Sequence, residues 1–579
     1  MKVIERQPPS SIVAQFQAAG IHPLLARLFA SRGLKAPEET EDQLSALLPP
    51  TQMKNLQAAA TTLAQAIENG ERLLVIADYD ADGATACAVA VRGLRRFGAQ
   101  VDFLVPDRFV FGYGLTPALV MHALEKFGDR KPHRIITVDN GISSVAGVAC
   151  AQAQGIEVLV TDHHLPGAVL PDTLIVNPNL RDCPFPSKHL AGVGVMFYVL
   201  LALRAFFRDE KKWPAEKCPR LDDLLPIVAL GTVADVVKLD ANNRRLVSQG
   251  LQRLRRGQSF AGLNALFSVA GIDVQRATPT SLGFSIGPRI NAAGRLGDMS
   301  IGIQCLLEDD PAKAVELAAM LDRMNKERRE IEGKARDEAL AQASQMISQQ
   351  LALADDRFSL VLHDSRWHQG VVGLIAGRLK EHFHRPVIIF ASDDQKPDQL
   401  KGSGRSIPGV HLRDVLERID TQHPGMIKAF GGHAMAAGLT LDSAQLDSFI
   451  AHFETTVQSF ADPADLQRML EHDGALEDSF MRLDIAHLLE QQIWGQGFPA
   501  PTFCNHFRVL SQRRLQDKHL KLTLALRSPG PSSPQAQRIE AIWFNATQDL
   551  PESAHLAYRL ATNHWQGTSQ LQLEIVSTV

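Results

Sequence analysis

Short apolar runs alternate with small-residue or amphipathic stretches along much of the chain, most regularly between residues 72 and 240. Leu73-Leu74-Val75-Ile76-Ala77, Val101-Asp102-Phe103-Leu104-Val105-Pro106, Arg134-Ile135-Ile136-Thr137-Val138 and Ile156-Glu157-Val158-Leu159-Val160-Thr161 read as strands, and the first is of the continuous apolar kind buried on both faces. Residues 84–91 are small and apolar and turn basic at Arg92, Arg95 and Arg96, which predicts a helix packed on a sheet. Thr116-Pro117 starts another, with an N-cap hydroxyl and a proline at the first helical position. Strands alternating with helices predict a parallel sheet, and a parallel sheet puts every strand's carboxyl end on one edge.

The pattern changes along the rest of the chain. Residues 1–70 are amphipathic and helical, with no legible function beyond packing. Residues 311–353 are the most helical stretch, rich in Ala, Glu, Lys, Arg and Gln, with charges of both signs that suit a solvated connecting helix. Strand runs at 358–362 and 386–390 flank a glycine-rich helix entry and predict a second, smaller α/β unit. From about residue 500 the chain reads as all-β. Leu520, Leu522, Leu524 and Leu526 alternate with Lys521, Thr523 and Ala525, so one face is buried. With 507–510, 539–544, 556–560 and 571–576 they make five short strands, the complement of an OB-fold, and 528–534 is a Ser/Pro/Gly loop between two of them. The expected division is 1–70, 71–305, 306–355, 356–460 and 461–579, in an α/β multidomain chain with a C-terminal β-barrel.

Length supports several domains, since 579 residues exceed what one core holds. A formal net charge of −4 means that any nucleic-acid binding comes from local basic surface. The six cysteines (87, 150, 183, 218, 305, 504) form no C-x-x-C pair, which argues against a thiolate zinc site or a disulfide scaffold and suits a reducing cytosol. No leader is expected from the polar start of the chain, and no membrane span from its apolar runs.

The candidate chemistry lies at the strand ends. Asp78-Tyr79-Asp80-Ala81-Asp82-Gly83 places three carboxylates at alternate positions where a strand gives way to a helix. Like charges this close raise one another's pKa unless a cation neutralises them, and hard oxygen donors favour Mg²⁺ or Mn²⁺. Asp139 ends the third strand, Asp162-His163-His164 the fourth, and Asp235 follows an apolar run beside a helix end. Alone, the first motif could be a solvated acidic turn, Asp139 a helix cap and His163 a satisfied core histidine. Converging on one sheet edge, they suffice for two cations about 3.5–4 Å apart, with Asp139 as the candidate shared ligand.

D-Y-D-A-D-G at 78–83, V-D-N-G-I at 138–142, T-D-H-H at 161–164 and G-T-V-A-D at 231–235 resemble the four motifs of the DHH phosphoesterase superfamily. From about residue 40 to its end the chain is similar to that superfamily's single-strand-specific 5′→3′ DNA exonucleases. The resemblance implies a parallel-sheet DHH catalytic domain, a long connecting helix, a DHHA1 substrate-binding domain and an OB-fold. It implies release of 5′-mononucleotides from single-stranded DNA in repair and recombination, with two Mg²⁺ or Mn²⁺ ions. Asp80 and Asp139, with Asp78 near, would bind the first ion. Asp82, Asp139, His163 and Asp235 would bind the second. His164 would face the scissile phosphate or back up the site, and Asp162 would orient an imidazole. Some members have a histidine where the first motif here has only acids and apolar residues, so the first ion's ligand set stays open.

Other stretches carry further expectations. Ala191-Gly192-Val193-Gly194-Val195 reads as close helix packing rather than a nucleotide fingerprint. Residues 285–295 read as a Gly/Pro-broken loop resembling a family segment near the active site. Arg289, Asn291 and Arg295 there could hold DNA phosphates or make ordinary surface ion pairs. Ser403 and Arg405, in a small-residue loop, are expected with Arg108 to clamp the terminal 5′-phosphate, and His433 to contact the phosphate near the metals. Ala436, Ala437 and Gly438 could simply allow tight packing. In the barrel, Arg508, Arg513, Arg514, Lys518 and Lys521 supply charge, and Trp543, Tyr558 and Trp565 are candidate base-stackers, Trp543 equally a core residue. The implied setting is the bacterial cytoplasm, as a monomer, with a single-strand-binding protein and a DNA helicase as partners. Two rivals stand beside it: a DHH phosphodiesterase acting on short oligoribonucleotides or cyclic dinucleotides, and a catalytically dead DNA-binding scaffold. The OB-like tail argues against the first and the intact set of acids against the second.

Overall fold

The computed structural model describes residues 2–107, 110–214, 216–296, 298–350, 357–367, 369–370, 372–393, 396–515, 518–526, 538–546, 548–565 and 568–579. Arg108 and the 528–534 loop lie outside the described residues. The chain divides into two compact units, Glu5–Asn325 with His472–Val579, and Lys326–Glu471 with Met1–Ile4.

In the larger unit a five-stranded parallel sheet is ordered Gln100–Leu104, Arg72–Ala77, Arg134–Val138, Glu157–Thr161, Leu174–Val176. The first strand in sequence lies second in the sheet, so the order reverses between Arg72–Ala77 and Arg134–Val138. In open α/β sheets ligands bind at such a switch point, outside the carboxyl ends of the strands. Asp78 and Asp139 follow those two strands directly. Helices Ala81–Arg96 and Gly192–Asp209 pack on the sheet, and Leu225–Ala234 packs on both of them.

The amphipathic N-terminal helices Ser10–Ala18 and Pro23–Ala30 belong to the same core as the C-terminal barrel. Buried Asp473 ties them to the approach to the barrel. It accepts two hydrogen bonds from Arg32 (2.9 and 3.0 Å), one from Ser31 Oγ (3.2 Å) and one from the Thr502 amide (3.0 Å). Arg32 also lies over the Trp494 ring, 5.0 Å from its centroid. The barrel is closed, in the order Phe503–Leu515, His519–Leu526, Arg538–Trp543, Thr568–Thr578, Ser553–Trp565. All five expected strands are present, and one pair, Arg538–Trp543 with Thr568–Thr578, is parallel. Closure removes exposed edges. Tyr558 corrects an expectation: it is fully buried, and its hydroxyl donates to Asn505 Oδ1 (2.8 Å), so it is core and not a base-stacker. Among the described side chains Phe544, edge-on to His519, is an exposed aromatic of this barrel, and the side chain of Trp565 lies outside them.

Helix Pro311–Gln350 runs for 40 residues, as its composition predicts. The smaller unit has a mixed sheet ordered Ile427–Gly432, Ala436–Asp442, Gln399–Arg405, Val387–Ser392, Leu360–His363, with the last pair parallel and the others antiparallel. Here too the sequence misleads in one respect. Lys401-Gly402-Ser403-Gly404-Arg405 is an internal strand, not an anion-cradling loop, and Ala436 and Ala437 are strand residues as well. A Cβ on Gly402 would stand 2.5 Å from the Phe390 ring, so this glycine serves close sheet packing. Strand alternation puts Lys401, Ser403 and Arg405 on one face.

Candidate metal centre

The first motif is shaped by a helix start. Asp80 is the N-cap of Ala81–Arg96, its carboxylate accepting from the Gly83 amide (3.0 Å). Asp82, in the first turn, is fully buried and accepts from the amides of Gly192 (2.5 Å) and Val193 (2.9 Å), the first residues of Gly192–Asp209. A helix amino terminus therefore holds this buried carboxylate. The Ala191–Val195 glycines have a second role, since a Cβ on Gly192 would lie 2.5 Å from the Asp139 Cβ.

Asp139 has a left-handed backbone (φ 62°), which aspartate tolerates better than most residues. Asp235 caps the carboxyl end of Leu225–Ala234. His163 Nε2 lies 3.0 Å from Asp139 Oδ1, 3.6 Å from Asp235 Oδ2 and 4.0 Å from Asp82 Oδ2. Three overlapping donor sets result, Asp78–Asp80–Asp139, Asp82–His163–Asp235 and Asp139–His163–His164, each with donor atoms within 4.8 Å of one another. Asp139 is shared by the first and third.

Asp162 is not among those donors. Its carboxylate accepts from the amides of Ile142 (2.9 Å), His163 (2.7 Å) and His164 (3.0 Å), and pairs with His164 Nδ1 (2.8 Å). It thus orients His164, the kind of outer carboxylate that fixes an imidazole. Burial alone would raise its pKa, but the His164 bond and the nearby histidine charges hold it below the usual range. For His164, burial opposes the charged form, yet Asp162 and the other acids push it up to about 9.

The remaining carboxyls are forced the other way. Burial, then the charge of Asp80, pushes Asp78 up to about 8, and the same two causes push Asp235 up to about 7. Asp82 and Asp139 are driven well above the ordinary range, by burial first and then by neighbouring acids. Oδ1 of Asp78 and Oδ2 of Asp235 are buried without a hydrogen-bond donor, and Oδ1 of Asp139 is buried against the His163 ring nitrogen. Acceptor-only oxygens in that condition call for cations, and an oxygen-rich set with one or two imidazoles fits Mg²⁺ or Mn²⁺.

Residues 285–295 depart from the expected loop. A π-helical stretch, Leu282–Ile286, runs without a break into helix Gly287–Leu296. A Cβ on Gly294 would meet the Tyr79 carbonyl at 2.2 Å, so this glycine lets the helix press on the first motif. Asn291 Oδ1 accepts from the Ala81 amide (2.7 Å), so its carbonyl secures the first motif. Arg289 is buried and paired with Asp322 (2.9 and 3.0 Å), whereas Arg295 is exposed on the same helix. In the smaller unit Arg405 donates to Ser403 Oγ (3.2 Å) and the Gly404 carbonyl (2.8 Å), and His433 sits in the turn after Ile427–Gly432. Asn291→Ala is expected to destabilise the protein by about 1 kcal/mol, the worth of one buried hydrogen bond. Differential scanning calorimetry beside an activity assay would check this, with activity falling further than stability because the backbone between Asp80 and Asp82 loses an anchor.

This switch-point sheet with its acid and histidine motifs defines a protein of the DHH class. Residues 72–232 match the DHH family, N-terminal domain; 355–459 match the DHHA1 domain; and 472–577 match the RecJ OB domain. The single-stranded-DNA-specific exonuclease RecJ of Escherichia coli (strain K12) is 46% identical over 568 residues, 96% of each chain. That of Thermus thermophilus is 33% identical over 98% of this chain and 77% of its own. A crystal structure of RecJ from Thermus thermophilus in complex with Mn²⁺ superposes with a TM-score of 0.78 at 30% identity, covering 100% of this chain and 80% of that one. The corresponding Mg²⁺ complex gives 0.73, covering 100% and 78%. The chain belongs to the RecJ family.

Proposed function

We propose that this chain is a metal-dependent exonuclease that degrades single-stranded DNA from its 5′ end and releases 5′-mononucleotides, in DNA repair and recombination. The observation that carries the reading is the cluster of buried carboxylates, short of hydrogen-bond donors, at the sheet's switch point. Asp78, Asp80 and Asp139 would hold one Mg²⁺ or Mn²⁺, and Asp82, Asp139, His163 and Asp235 a second. Two such ions supply a nucleophile from water at neutral pH and neutralise charge developing on the phosphate oxygens. The chain's own part is positional. Gly192 and Val193 fix Asp82, Asn291 fixes the first motif, and Asp162 fixes His164, whose imidazole would face the scissile phosphate. Ser403 and Arg405 would bind a substrate phosphate, with Arg108, Arg295 and His433 as further phosphate contacts. Exposed basic residues of the barrel, Arg508, Arg513 and Lys518 among them, would track the strand.

No helix among the described residues is long and apolar enough to cross a membrane, and all six cysteines are free. A bacterial cytoplasmic location and action as a monomer accord with this reading. A single-strand-binding protein and a helicase are the expected partners, because they present the strand. The deciding experiment is digestion of single strands labelled at either end, with Mg²⁺, with Mn²⁺ and with EDTA. Metal-dependent release of labelled mononucleotide from the 5′ end is the expected result. Release from the 3′ end would overturn the polarity, and binding without cleavage in every condition would make the chain a scaffold.

A further inference from the structure

Tyr113 stands beside the metal centre without being one of its donors. Gly112 and Gly114 flank it with left-handed backbones (φ 74° and 76°), a turn that other residues adopt only under strain. The turn is anchored from the segment that follows Asp139: the Leu115 amide donates to Ser144 Oγ (3.0 Å), and a Cβ on Gly114 would lie 2.9 Å from that oxygen. Anchored in this way, the Tyr113 ring stands nearly perpendicular to two rings of the site, His164 at 5.9 Å and Tyr79 at 6.2 Å between centroids. Its hydroxyl is 3.4 Å from each ring nitrogen of His164.

The side chain nevertheless stays 47% exposed. A tyrosine that served only to fill space would be covered, and one that served only to brace His164 would duplicate Asp162, which already holds that imidazole at 2.8 Å. What the turn achieves is an aromatic surface, fixed in place and open to solvent, next to the carboxylates where a phosphate would be cut. A nucleotide whose phosphate sits there must put its sugar and base close by, and every base has a π-face that an aromatic ring can take without regard to sequence.

We propose that Tyr113 is the specificity contact for the nucleoside of the nucleotide being removed, the exposed part of its ring packing against the terminal base. This rests on the reading of the site as a single-strand exonuclease centre. The test compares two single strands in Mn²⁺, one ordinary and one with an abasic sugar at the end under attack, by kcat and KM of the first cleavage. The wild-type chain should prefer the ordinary strand about tenfold, within the range of base–aromatic stacking. Tyr113→Ala should bring that ratio close to one, mainly through KM, whereas Tyr113→Phe, which keeps the ring, should retain it. Melting curves for both variants show that they are folded. If Tyr113→Ala slows both strands equally and keeps the ratio, the residue is only a prop for His164 and the inference fails. A wild type that cuts both strands equally also overturns it, while the exonuclease reading stands. A wild type that degrades neither strand in any metal overturns both.

Discussion

Asp139→Asn is expected to lower turnover of single-stranded DNA by roughly a thousandfold or more, with no loss of thermal stability. The activity loss follows from position. Asp139 contributes to two of the three donor sets and is the ligand proposed for both ions, so neutralising it would weaken both, and losing even one preorganised charge contact costs about 10²–10³ in rate. The stability side follows from the neighbours. Burial and the charges of Asp82 and Asp80 already press on this carboxyl, so the charge is a liability in the metal-free fold. Asparagine keeps the volume, accepts the left-handed backbone and retains the amide bond to the Thr161 carbonyl (3.1 Å). Steady-state nuclease rates in Mn²⁺ and Mg²⁺, with melting curves in EDTA, separate the two effects. A variant that loses activity and several degrees of melting temperature together would point to a structural role for Asp139. A variant that keeps its activity would refute the shared-ligand assignment.

The sheet and its acids were legible because their cause is local. Strands such as Leu73-Leu74-Val75-Ile76-Ala77 are buried on both faces, and residues 0% to 1% exposed along this strand are what a continuous apolar run anticipates. Three of the strand ends, those before Asp78, Asp139 and Asp162, are marked by an aspartate, so convergence on one edge followed from parallel topology alone. Glycine and proline misled where they served packing. Gly294 lets a helix touch the Tyr79 carbonyl and Gly402 makes room for the Phe390 ring, yet both had read as loop. The role of Tyr558 was within reach, since Leu556, Tyr558 and Leu560 share strand parity and lie on the buried face. The supports of the site were beyond local reading. The amides that hold Asp82 come from 110 and 111 residues away, and the carbonyl that secures Ala81 from 210. An A-G-V-G-V sequence opening a helix was their one available signal, through the anion preference of helix amino termini. Likewise nothing near Arg32 announces Asp473, 441 residues on.

Divalent ions should stabilise this protein, and increasingly so as pH rises. Without ions, Asp78 is pushed up to about 8 and Asp235 up to about 7 from an ordinary 3.8, while Asp82 and Asp139 also titrate well above that value. A carboxyl with a raised folded-state pKa contributes its stability in full below the unfolded value and loses it as pH climbs through the folded one. From about pH 4 to about pH 8 the metal-free fold must therefore either retain protons that the unfolded chain has released or confine repelling charges, and it weakens across that window. Cations that take the place of those protons remove this penalty. The gap in melting temperature between Mg²⁺- or Mn²⁺-loaded and EDTA-treated protein should thus widen between about pH 5 and pH 8. At a free ion concentration one hundred times the dissociation constant, each ion would add about 2.7 kcal/mol. Differential scanning calorimetry across that pH range, on wild type and Asp139→Asn, measures it. The variant should show a smaller gap, because it has one fewer charge to relieve and one fewer ligand to offer. A gap independent of pH in the wild type would mean that the ions bind elsewhere, and the assignment of these carboxylates as their ligands would fall.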